Sequence, residues 1–139
     1  MIAAIGSINV DYIIHNKRLP VPGETLYGKS VMIMAGGKGA NQIAAASRLG
    51  ADTLFLSKIG GLDQYNSTVL KDFEWAGVSV DYIETVPDSY SGAGFAMIGE
   101  DSQNSIIIIE GANAEMTPEY VEKYKDQIKN ASIVMCEFM

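Results

Sequence analysis

Cysteine, histidine and tryptophan occur once each in the 139 residues, and proline only four times. A lone thiol, Cys136, closes no intrachain disulfide; between Met135 and Glu137 in an apolar segment it reads as a reduced, buried filler. The lone imidazole, His15 beside Ile14, reads as a surface residue rather than a base or metal ligand. Basic side chains are also scarce. Ten Lys+Arg against seventeen Asp+Glu give a formal charge of -7, which excludes the positive surface that nucleic acid or an anionic membrane requires. No apolar run approaches the ~20 residues of a membrane-spanning helix. Met1 to Gly6 has no basic lead and Asp11 follows too soon for a signal peptide, so a cytoplasmic location is expected. What is present, 47% hydrophobic and 19% charged residues, describes a globular chain with room for one compact domain. Its expected partner is a small, neutral or locally recognised ligand.

Punctuation by glycine and proline divides the chain. Ile2–Ile5, ended by Gly6, reads as a strand buried on both faces of a parallel sheet. Asn9–His15 and Thr25–Met34 read as the two arms of an edge hairpin, separated by Pro20, Pro22 and Gly23. Gly36-Gly37-Lys38-Gly39 introduces an alanine-rich helix over 40–49, stopped by Gly50. Thr53–Ser57 is a second buried strand. Asp63–Trp75 is an amphipathic helix with Val69, Leu70, Phe73 and Trp75 on its apolar face. Strands follow over 78–86, 92–98 and 105–109, the last two joined by a polar turn. Thr117 caps a helix over 118–129, and 131–138 closes as a strand. Strands alternating with helices give an α/β fold: a parallel sheet with helices on both faces and the two early arms protruding from it. The seven methionines are scattered and assigned to core filling. Asp63, Asp101 and Glu110 lack a spaced partner and are read as turn residues, not metal ligands.

Two segments carry candidate chemistry. At Ala35 to Gln42 a glycine-rich turn feeds a helix N-terminus, whose free N–H groups favour an oxygen-rich ligand. It is not a Walker loop, because Met32 stands at the first glycine position and Gly39 follows Lys38. The dinucleotide fingerprint fails too, with Gln42 at its third glycine. Close packing of helix on sheet and ligand binding both remain open for this turn. In Gly6-Ser7-Ile8-Asn9-Val10-Asp11, just past the first strand, Asn9 and Asp11 project to one side. There they either form a turn, the commoner use of these residue types, or hold adjacent hydroxyls of a polyol.

Taken together, these segments resemble the ribokinase family of carbohydrate kinases (the PfkB group), and specifically its ribokinase branch. The match is collinear through Gly6–Asp11, Pro22-Gly23-Glu24-Thr25, Gly36–Gln42, Ser91-Gly92, Gly111-Ala112-Asn113-Ala114 and Asn130-Ala131-Ser132. Three positions depart from the pattern: Ile43 replaces a small residue, the family's second glycine near Asn66 is absent, and Glu137-Phe138-Met139 stands where a Gln-Leu-Glu is usual. The resemblance implies that Asn9, Asp11, Gly37, Lys38 and Asn41 bind the sugar, with Asp11 and Asn41 on hydroxyls and Gly37 allowing close backbone approach. It implies that Lys38-Gly39 leaves space for a sugar ring. It makes the segments 11–34 and 80–109 a β-sheet lid that covers the sugar and forms a homodimer. It implies ATP-dependent phosphorylation of a pentose, D-ribose to ribose 5-phosphate, with Mg2+, ATP and a monovalent cation such as K+. The family's Gly-Ala-Gly-Asp loop is not found in these 139 residues, so residues 1–139 read as the N-terminal, sugar-binding part, without catalytic or metal-ligating residues and inactive alone. Alternatives within reach are a nucleoside or other sugar kinase of the same family, or a non-catalytic sugar-binding and dimerising fragment.

Overall fold

A computed structural model describes residues 1–137. The expected strand over 131–138 and the comparison at Phe138 and Met139 therefore lie partly outside the described residues. Two four-stranded sheets make up the fold. The first is parallel throughout, in the order β5 (Ile83–Val86), β4 (Thr53–Gly60), β1 (Ile2–Ile5), β8 (Ile133–Cys136). The second has the order β3 (Ser30–Gly36), β2 (Asn9–His15), β6 (Gly92–Ile98), β7 (Asn104–Ile109), with β2 and β6 parallel and the outer pairs antiparallel.

The first sheet is apolar on both faces because helices cover both. Ala4, Phe55 and Ile59 pack with Ile43 of α1 (Lys38–Arg48) and with Val69 and Phe73 of α2 (Asn66–Trp75). On the other face Ala3, Leu54 and Leu56 pack with Tyr120 of α3 (Pro118–Lys123) and Ile128 of α4 (Lys125–Lys129). The alternation of Leu54, Phe55 and Leu56 between the two clusters is the period-two signature of a strand buried on both sides. Ile43, the bulky residue in place of a small one, is wholly buried and knits α1 to Phe55.

Several sequence expectations are corrected. β2 is no edge arm: a parallel partner, β6, flanks it opposite β3. The second arm starts at Ser30, since the Arg18 guanidinium instead closes the proline-rich loop by donating to Glu24 (Nη1 to Oε2, 2.7 Å). That donor pulls the Glu24 carboxyl down to about 2. No strand begins at Val78, because its N–H bonds back to Phe73 and that of Gly77 (φ +80°) to Glu74, a helix stop only glycine adopts freely. The Asp63–Trp75 helix begins at Asn66. Residues 118–129 form two short helices that part at Tyr124, whose hydroxyl donates to Glu84 (2.8 Å). Thr117 does cap, accepting from Tyr120 N–H at 3.3 Å. Trp75 is 79% exposed, with the Arg48 guanidinium 4.4 Å above its ring. Met32 and Met34 lie exposed on β3, and Cys136 is exposed on the outer strand β8 rather than buried. Of the segment 80–109, Ile83–Val86 belongs to the first sheet and the second sheet resumes at Gly92.

Candidate functional site

The chain passes between the sheets through glycine. Gly6 ends β1, and Gly39 in the first turn of α1 lies against it so closely that a Cβ on Gly39 would come 2.7 Å from the Gly6 Cα. Gly39 is thus required where backbone meets backbone. Gly37, at φ +102°, precedes α1, and a side chain there would run into the Ser7 carbonyl. At Gly37 the chain's own loop approaches closely. Both contacts press the β1–β2 loop onto the start of α1, which brings β2 alongside the glycine turn.

That junction forms one cavity of about 220 Å³, lined by Asn9, Asp11, Gly37, Lys38 and Asn41. All five residues, picked from two separate stretches of sequence, meet there. The remaining lining, Ile13, Gly94, Ala96, Ile106 and Ile108, is one face of the second sheet, an apolar roof over a polar floor. The aromatic side chains of that sheet turn away. Tyr12 and Phe95 stack at 4.9 Å on its opposite face, with Tyr65 edge-on to Tyr12 at 6.0 Å.

Asp11 is seated by two glycines that sequence reasoning passed over. Side chains at Gly36 of β3 or Gly94 of β6 would overlap its carboxylate oxygens. The signal was available, because glycine within a strand marks close approach by a ligand or another group. Desolvation by burial raises the Asp11 carboxyl above its ordinary value. A ligand that brings hydroxyl donors removes that penalty and so binds against the charged form.

Asn9 is held differently. Asn113, in a 3-10 turn over Gly111–Glu115, accepts from Ile8 N–H at 3.0 Å and donates to Ile8 C=O and to Asn9 Oδ1, each at 3.0 Å. Gly92 leaves the space for this, since a side chain there would overlap both amides. Nearby, Asn66 uses the place of the missing glycine: it donates to Gly60 C=O and accepts from the Ser91 hydroxyl (2.7 Å), which itself accepts from Gly60 N–H (3.0 Å). The link between sheets at Ser91–Gly92 is thereby pinned.

The pfkB family carbohydrate kinase profile matches residues 1–137. The chain belongs to the pfkB family. Ribokinase of Bacillus subtilis is 37% identical over 98% of this chain, and deoxyribokinase of Salmonella typhimurium 36% identical over the same share. The structure of Arabidopsis thaliana ribokinase, solved with ribose and ATP, superposes with a TM-score of 0.79 at 34% identity over 97% of this chain. Coverage in the other direction is smaller: this pfkB chain spans 46%, 44% and 44% of those three proteins. The expected α/β architecture, a helix-covered parallel sheet with a second sheet beside it, is that of these relatives.

Among the described residues no three of His, Cys, Asp and Glu gather as a metal site, and no helix is long and apolar enough to cross a membrane.

Proposed function

We propose that this chain supplies the sugar clamp and lid of a cytoplasmic ribokinase-like enzyme, one that transfers the terminal phosphoryl group of ATP to the primary hydroxyl of a pentose, D-ribose giving ribose 5-phosphate. The observation that carries the reading is the convergence of Asn9, Asp11, Lys38 and Asn41 on one cavity under the second sheet. Asp11 accepts from sugar hydroxyls and fixes the ring; Asn9, Lys38 and Asn41 donate around it; Ile13, Ala96, Ile106 and Ile108 form the apolar side of the cavity. Phosphoryl transfer rests mainly on such positioning and on charge neutralisation. Asp11 is the one carboxylate among the described lining residues and is occupied by binding, so the proton-accepting base is proposed to lie outside this chain. ATP, Mg2+ and K+ are proposed to be held mainly outside these residues. The exposed β3 and β7 edges of the second sheet, with Val31–Met34 and Ile106–Ile109, favour a homodimer through the lid.

A pentose is favoured over a nucleoside because the described lining has no aromatic ring for a base to stack on. The test is Asp11→Ala in the full-length protein. Loss of a charge-assisted hydrogen bond worth ~1.5–3 kcal/mol weakens ribose about tenfold or more with the fold intact. Unchanged ribose affinity rejects the assignment, and a thermal-shift response to nucleosides but not pentoses selects the nucleoside reading.

A further inference from the structure

The amide of Asn113 lies between fixed backbone groups, and their polarity leaves it one orientation. Ile8 N–H can only donate and Ile8 C=O can only accept, so Asn113 must turn Oδ1 to the first and Nδ2 to the second. The second Nδ2 hydrogen then points at Asn9, where it meets Oδ1 at 3.0 Å. All three residues are sealed from bulk solvent: Ile8 is fully buried, Asn9 and Asn113 are 6% exposed. A reversed Asn9 amide would set donor against donor in a place where water does not compensate. With Oδ1 so engaged, Nδ2 is the polar atom the Asn9 amide has left to offer, and Asn9 lines the cavity.

We infer that Asn113 is a positioning residue for ligand recognition: through Asn9 it relays backbone polarity into the cavity, so that the ligand must present an acceptor oxygen, a hydroxyl or ring oxygen, opposite Asn9 Nδ2. Asp11 beside it is acceptor-only when charged and requires donors. The two positions together demand an acceptor next to a donor, which adjacent sugar oxygens supply and an ammonium or guanidinium group does not. This rests on the sugar reading above for the identity of the ligand, though not for the relay itself. Gly92 is its structural condition, because any side chain there would displace both amides.

The relay is tested in 15N-labelled full-length protein by side-chain amide exchange. The Asn113 NH2 protons are expected to exchange slowly and those of Asn9 faster, with ribose shifting and protecting the Asn9 signal. Asn113→Asp keeps the acceptor for Ile8 N–H but loses the donor, so Asn9 turns to donate to residue 113 and shows its carbonyl to the cavity. Ribose Kd is expected to rise about tenfold or more in Asn113→Asp and in Asn9→Ala, and no further in the double variant, since one acts through the other. Losses that multiply in the double variant overturn the relay, as does a wild-type Asn9 amide protected like that of Asn113 before ribose is added. If ribose fails to bind the wild type, the sugar reading falls, while the exchange pattern of the two amides still decides the relay. If Asn113→Asp does not fold, the wild-type exchange measurement decides alone.

Discussion

A single methyl group added at Gly94 separates binding from stability. The Cβ of Gly94→Ala would overlap Asp11 Oδ1, and the carboxylate, hemmed in on its other side by Gly36, can yield only toward the cavity. Removing a strand glycine gains ~0.5–1 kcal/mol, while turning Asp11 off its rotamer costs ~0.5–1.5 kcal/mol, so the net stability change is within about 1 kcal/mol of zero. Binding is another matter. A charge-assisted hydrogen bond worth ~1.5–3 kcal/mol is misaligned, which at about 1.4 kcal/mol per tenfold is roughly a 10- to 100-fold rise in ribose Kd. Titration calorimetry with ribose and thermal unfolding on the same full-length sample measure the two effects. In the Asp11→Ala background Gly94→Ala is expected to do nothing further to binding, because the group it displaces is gone. Wild-type ribose affinity in Gly94→Ala, or a further loss in the double variant, refutes the seat described for Asp11.

Ribose binding should weaken on acidification earlier than an ordinary carboxylate would dictate: burial raises the Asp11 value in the free protein, hydroxyl donors favour the charged form, and affinity is full above that raised value and lost as pH falls through it. Calorimetry across pH checks this, and a profile unchanged by Asp11→Asn counts against it. The same raised value makes the fold slightly more stable as pH falls through it, since the native state holds the proton more tightly, an effect absent in Asp11→Asn. Gly39→Ala should destabilise by ~1–3 kcal/mol in chemical denaturation, because a Cβ 2.7 Å from the Gly6 Cα has only backbone to push; a stabilised variant would disprove that contact. Phe55→Ala should cost ~3–5 kcal/mol, Phe55 being fully buried between α1, α2 and the first sheet. Light scattering of the full-length protein is expected to show a dimer, and a monomer at all working concentrations rejects the lid contact.

Local chemistry made some of this legible and left the rest hidden. Gly36–Gly39 before an alanine-rich stretch marks the start of α1, because turn chemistry acts within a few residues, whereas for Asn9 and Asp11 local chemistry favours a turn and only the family resemblance points to a ligand. From sequence β2 reads as an edge because its second neighbour, β6, is distant in sequence and nothing in 9–15 announces it. Trp75 was placed inside on helical periodicity alone, but cation–π contact with Arg48 provides for it at the surface. Gly94 and Asn113 looked like an ordinary strand glycine and an unassigned motif residue; their importance lies in whose atoms they face across the sheet and the turn.

The parallel pairing of β2 with β6 also sets a timetable for synthesis. Asn9 waits for Gly92, about 80 residues downstream, and at ~5–20 residues per second that is roughly 4–16 s on the ribosome. During that interval β2 and β3 can exist only as a two-stranded hairpin, marginal in water, carrying Tyr12, Ile13, Ile14 and Val31–Met34 with no third strand beside them. β1 must likewise wait for Ile133 before its second flank is paired. The nascent chain is thus most prone to aggregate while its first third is out and its middle is not. Slow translation through residues 40–90 should lower the soluble yield, whereas slow translation after Ile109 should do so much less.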